Sequence, residues 1–123
     1  MLIAYWIIAG LLAVFHLYVG GQKLARSPQK LADSGMAWAG DFPSWSVKAV
    51  GFVEVLGAIG LILPPLLQIA PMLAPWAAMG LALVQVGAAL THLMRKERKA
   101  VPVNIVLLLV AAAAAWLGFF VWS

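Results

Sequence analysis

Six polar residues stand inside or at the ends of long apolar stretches of this chain: His16, Lys23, Glu54, Gln85, His92 and Asn104. Glu54 carries the strongest chemical signal. A carboxylate near the middle of a bilayer costs several kcal/mol unless it is paired, solvated or protonated, so it needs an internal partner, a proton or a ligand. His16 is the nearest candidate in depth, and Lys23 or His92 could reach toward Glu54 from one end of the spans. A purely structural reading stands beside this one, in which Glu54 ties helices together through a buried hydrogen bond. Gln85 and Asn104 fit helix–helix hydrogen bonds. His16 alone fits a packed histidine bonded to a backbone carbonyl, and His92 beside Arg95 fits an interfacial side chain. Together the six are the candidate ligand-binding residues.

Other chemistries find little support. No two histidines share ligand spacing on one helix, such as i and i+4, so no metal site is expected. No serine falls beside a base within a span, and Ser34, Ser44 and Ser46 read as loop and cap residues, so no catalytic nucleophile is assigned. With no cysteine there is no disulfide, thiol relay or thiolate site.

Helical spacing places each polar residue on a stripe of small ones. His16 shares a face with Ala9, Ala13, Gly20 and Lys23, and Glu54 with Val47, Gly51, Gly57 and Ala58. Gln85 and His92 lie with Ala78, Ala82 and Ala89, and Asn104 with Ala111, Ala115 and Gly118. Small residues let membrane helices approach closely, so these stripes should face the bundle interior and the larger apolar faces should meet lipid.

The elements that carry them are membrane spans. A chain of 123 residues that is 65% hydrophobic, with a mean hydropathy of +1.02, cannot cover that surface as a small water-soluble domain. Four spans are predicted, at about 2–21, 44–63, 71–94 and 100–122, giving an all-α membrane protein of a single domain, an antiparallel four-transmembrane-helix bundle. The first runs roughly 30 Å at about 1.5 Å per residue, enough to cross the hydrocarbon. It lacks a basic leading region and reads as a retained span rather than a signal peptide. Loop 22–43 has an N-cap at Ser27, a proline at the first helical position and a closing Gly35, which predict a short interfacial helix. Leu31, Met36 and Trp38 would rest it on the headgroup boundary.

All eight Lys and Arg residues fall in two stretches, Lys23 to Lys48 and Arg95 to Lys99, while the connection Pro64 to Ala70 carries no charge. Basic residues near span ends are retained on the cytoplasmic side, so both basic loops should be cytoplasmic and both termini periplasmic. The net charge of +4 belongs to loops that meet anionic headgroups, and no basic face with interleaved aromatics points to nucleic acid. Every interior polar residue lies in the half nearer the basic loops. The other half has only aromatics such as Tyr5, Trp6, Trp76 and Trp122, read as interfacial anchors. The expected result is a polar pocket open to the cytoplasm and closed outward, which disfavours a passive channel.

Three segments carry a family likeness: Gly21-Gln22-Lys23, Gly51-Phe-Val-Glu54-Val-Leu-Gly57 running on to Pro64, and Gly87-Ala-Ala-Leu-Thr-His92 running on to Glu97. In this order the chain resembles the DoxX-like membrane proteins over nearly its whole length. The resemblance implies a compact four-helix bundle in the bacterial inner membrane and singles out Lys23, Glu54 and His92. It also implies a link to quinone-dependent oxidoreductases. This chain lacks cysteine and a haem-ligand pattern, so no cofactor is expected beyond a quinone, and no catalysis by this chain alone. The expected function is binding of a lipophilic small molecule, a quinone or a lipid, or service as the membrane subunit of a redox-linked complex with a soluble or membrane partner. The alternative is proton-coupled transport through Glu54. Homo-oligomerisation is left open.

Overall fold

In a computed structural model describing residues 1–123, the chain is helical nearly throughout and has no strands. Four long helices, α1 (Leu2–Ala25), α3 (Ser44–Leu67), α4 (Leu73–Met94) and α5 (Val101–Trp122), are each long and apolar enough to cross a membrane. The short α2 (Pro28–Asp33) and a 3-10 turn at Ala37–Asp41 fill the loop between α1 and α3. The protein is an integral, multi-pass membrane protein built as an antiparallel bundle. Each long helix packs on its neighbour in the chain, and α5 closes the ring against α1.

Small side chains set the interior. Ala9, Ala13, Ala58, Ala74, Ala78, Ala111 and Ala114 are buried with Leu12, Leu61 and Leu81, whereas Ile3, Leu11, Val14, Leu83 and Trp116 point outward. In water those outward residues would be a large exposed apolar surface, but in lipid they are solvated. The interior is then free to hold small and polar groups that permit close backbone approach.

Two helices run past their predicted ends. α1 continues through Gly20-Gly21 to Ala25, because Gly20 is a packing position rather than a stop. α3 continues through Pro64-Pro65 to Leu67. Pro65 has no N–H for the carbonyl of Leu61, and the Tyr5 hydroxyl donates to that carbonyl instead, at 2.7 Å. The helix ends where Gln68 turns left-handed at φ 58°, and Ile69 N–H reaches back to the Pro64 carbonyl at 3.0 Å.

Tyr5 is therefore not an interfacial anchor. It is fully buried, edge-on to Trp6 and Trp122 at 5.5 and 5.4 Å between ring centroids. Its hydroxyl needs an acceptor, and the proline supplies one inside the bundle. Trp76 does face outward.

The loop helix α2 starts at Ser27, whose Oγ accepts from Lys30 N–H at 3.3 Å, with Pro28 next, and closes before Gly35 at φ 117°. Leu31 does not lie on a lipid boundary. It is fully buried against Ala39 and Val47, so the loop folds back on the start of α3 and covers the end of the bundle. Lys48 Nζ pins the same region by donating to the Leu24 carbonyl at 2.9 Å.

Candidate ligand-binding site

The site begins with a glycine contact. A Cβ on Gly51 would stand 2.7 Å from Lys23 Cβ and 2.8 Å from the Gly20 carbonyl oxygen, and one on Gly20 would stand 2.9 Å from the Gly51 oxygen. α1 and α3 thus touch backbone to backbone at this level. Lys23 lies three residues after Gly20 and Glu54 three after Gly51, so each charge sits on the same helix face as its glycine.

Glu54 is 1% exposed and has two partners, both from α1. Its Oε1 accepts from Lys23 Nζ, and its Oε2 lies 2.8 Å from His16 Nδ1. His16, fully buried, turns its other ring nitrogen toward Gln85 Nε2 at 3.5 Å. Asn104 Nδ2 donates to Gln85 Oε1 at 3.0 Å. The row Lys23, Glu54, His16, Gln85, Asn104 draws on all four spanning helices and crosses the bundle diagonal between α1 and α4. Asn104 Oδ1, at its end, is buried with no partner.

The Glu54 carboxylate thus takes Lys23 on one oxygen and the His16 ring on the other, and the Gln85 and Asn104 amides continue the row from His16 across the bundle.

A cavity of about 340 Å³ opens beside this row at the end of the bundle that holds the basic loops. Lys23, Glu54, Gln85 and Asn104 line one side, and apolar side chains such as Phe15, Val84 and Leu107 line the rest. Met36 and Trp38 reach in from the folded-back loop, and Lys23 Nζ lies 5.4 Å from the Trp38 ring centroid. Trp38 and Met36 line the cavity, whereas the sequence alone rests them on the headgroup boundary. Their only signal was their presence as large apolar residues in an otherwise polar loop.

His92 also lines the cavity but does not reach Glu54. Its Nδ1 lies 3.1 Å from Glu97 Oε1, which also accepts from Arg95 Nε at 2.9 Å, and Arg95 pairs with Asp41 of the 3-10 turn. The His92 hydrogen bond, aided by Arg95, holds the Glu97 carboxyl below its ordinary value. Lys96 turns the chain at φ 61°, which returns Glu97 N–H to the His92 carbonyl at 2.8 Å. This cluster ties the loop over the cavity to the end of α4. No three His, Cys, Asp or Glu side chains are grouped so as to hold a metal ion.

Comparison with family models gives one match, to the DoxX-like family, over residues 7–114. The chain belongs to the DoxX-like family. All six polar candidates lie within the DoxX-like match, whereas Tyr5 and Trp122 lie outside it. Neither the curated proteins nor the solved structures gave a match.

Proposed function

We propose that this DoxX-like chain is a bacterial inner-membrane protein whose polar pocket, open toward the cytoplasm, holds a lipophilic small molecule. The observation that supports this is the cavity itself. Its wall is mostly apolar, with a few convergent polar groups on one side, the composition expected of a site that takes an apolar body with a polar head. A quinone or a lipid has that form. A quinone carbonyl would find donors at Lys23, which spends one N–H on Glu54 and has others free. Any redox step belongs to a partner that delivers or collects electrons, for which this chain would be the membrane subunit.

Orientation follows the charges. The Lys48 to Leu24 and Arg95 to Asp41 contacts gather both basic loops at one end, which retention of Lys and Arg assigns to the cytoplasm, leaving both termini periplasmic. A reporter active only in the cytoplasm, fused to the C-terminus, is expected to be silent, and a bright signal reverses the orientation. Mass spectrometry of organic extracts from gently purified protein is expected to show a retained lipophile beyond bulk phospholipid. An extract matching bulk lipid alone would remove the binding reading.

A second reading, proton-coupled transport, rests on Glu54 as the one acid within the spanning helices. Uptake into vesicles that requires a pH gradient and disappears in Glu54→Gln would favour it over retention of a static ligand.

A further inference from the structure

We infer that the cavity is gated at its loop end: the folded-back loop closes on α4 as a lid, and the ion pair between Arg95 and Asp41 is the latch. The inference concerns how the cavity is reached and needs no ligand in it, so it stands or falls apart from the pocket reading above. The loop leaves α1 after Ala25 and enters α3 at Ser44, so both of its covalent ends belong to one side of the bundle. At those ends the helical path is broken by extended residues, Arg26 and Phe42. Between them the loop holds together as one piece. Leu31 and Ala39 are fully buried with Val47 of α3, and Met36 and Trp38 pack against them. Those last two side chains also line the cavity, with Lys23 Nζ 5.4 Å from the Trp38 ring centroid.

Across the cavity the loop has a single polar hold. Arg95 Nη1 meets Asp41 Oδ2, and no other hydrogen bond or ion pair joins the loop to α4 or α5. Arg95 is set up for this contact, because its Nε is spent on Glu97 Oε1 at 2.9 Å and Glu97 is placed in turn by His92 and by the left-handed turn at Lys96. The Asp41 side chain is 66% exposed and that of Arg95 25%, so water and salt screen the pair. A screened pair shifts an equilibrium by a few-fold only, which suits a catch that releases rather than a permanent clamp. When the loop lifts, Trp38 leaves Lys23 and the cavity meets the water at that end.

The test uses the full-length, detergent-purified protein, whose lack of cysteine lets one introduced thiol report alone. Ala88→Cys puts that thiol on the cavity wall, and its rate of modification by iodoacetamide, a small neutral reagent, measures access. Rates are taken relative to Ser123→Cys, at the exposed far end of α5. Asp41→Asn and Arg95→Gln are each expected to speed modification of the cavity thiol by about two- to five-fold. The two substitutions change the local charge in opposite senses, so an effect of charge on thiol reactivity would move the rates in opposite directions, whereas an opened lid moves both upward. Raising the salt concentration is expected to speed the reaction with the ion pair intact and to leave it unmoved in Asp41→Asn. Rates unchanged by both substitutions, rates moved in opposite directions, or a thiol that stays unreactive throughout would each overturn the inference while leaving the pocket reading intact. Should Ala88→Cys fail to fold, Val84→Cys on the same wall decides in its place.

Discussion

The Tyr5 hydroxyl donates to the carbonyl of Leu61, 56 positions away, at 2.7 Å, and that carbonyl is free because Pro65 follows it by one helical turn. A proline within a spanning helix and a tyrosine on its neighbour are therefore one feature. Removing the hydroxyl leaves a buried carbonyl unpaired, so Tyr5→Phe is expected to destabilise the protein by about 1–3 kcal/mol. Pro65→Ala restores the helix's own donor, and in that background Tyr5→Phe should be nearly neutral. Unfolding in detergent of the four proteins of this cycle measures the coupling, and equal costs in both backgrounds would break the link.

Gly51 and Gly80 make a matched pair. A methyl on Gly51 meets Lys23 Cβ at 2.7 Å and backbone at 2.8 Å, whereas one on Gly80 meets nothing within 4 Å. Gly51→Ala should force α1 and α3 apart and cost about 1–3 kcal/mol. Gly80→Ala should be neutral or stabilising by up to about 1 kcal/mol through helix propensity. Thermal melts of the two variants side by side check this.

Glu54→Gln separates structural from ligand roles. Because Lys23 and His16 both engage the carboxylate, the amide leaves a buried cation unpaired, and a loss of about 3–5 kcal/mol is expected. Lys23→Met combined with Glu54→Gln removes the orphaned charge and should regain much of it. Retained-ligand occupancy is measured on the surviving folded protein of each variant. Unchanged occupancy in all of them would confine Glu54 to holding helices together.

The Glu97 cluster gives a pH dependence whose sign is fixed. A carboxyl held below its ordinary value of 4.5 by the His92 hydrogen bond, with Arg95 adding to the effect, contributes stability that is complete above that value and is lost as pH falls through the lowered one. Hydrogen exchange in residues 95–100 should therefore quicken as pH is taken below about 4.5, beyond the intrinsic trend, and Glu97→Gln should flatten the response.

Much of this arrangement was readable beforehand, for definite reasons. The spans and the small-residue faces follow from hydropathy and a 3.6 period, and those faces carry His16, Glu54, Gln85 and Asn104 into the interior. What periodicity does not encode is which neighbour fills a gap. Pro64-Pro65 looked like a stop because its acceptor-filling partner, Tyr5, is remote in sequence. Tyr5 looked interfacial for the same reason. Of the two readings of His92, reaching toward Glu54 or lying at the span end beside Arg95, the first fails because the left-handed turn at Lys96 brings Glu97 to its ring first. Leu31 and Trp38 read as headgroup-boundary residues because nothing local says that a loop will fold back over its own bundle.

The Glu54 contacts also bear on how the protein is made. Both partners of the acid belong to α1, which leaves the ribosome before α3 does. When the second span reaches the bilayer, the cation and imidazole are already in place, so the carboxylate can insert against them rather than against hydrocarbon. The glycines at the same level let the two helices close at once, as a hairpin. α4 and α5 then join a pair whose charge is already settled, and what they bring to it is only neutral amides.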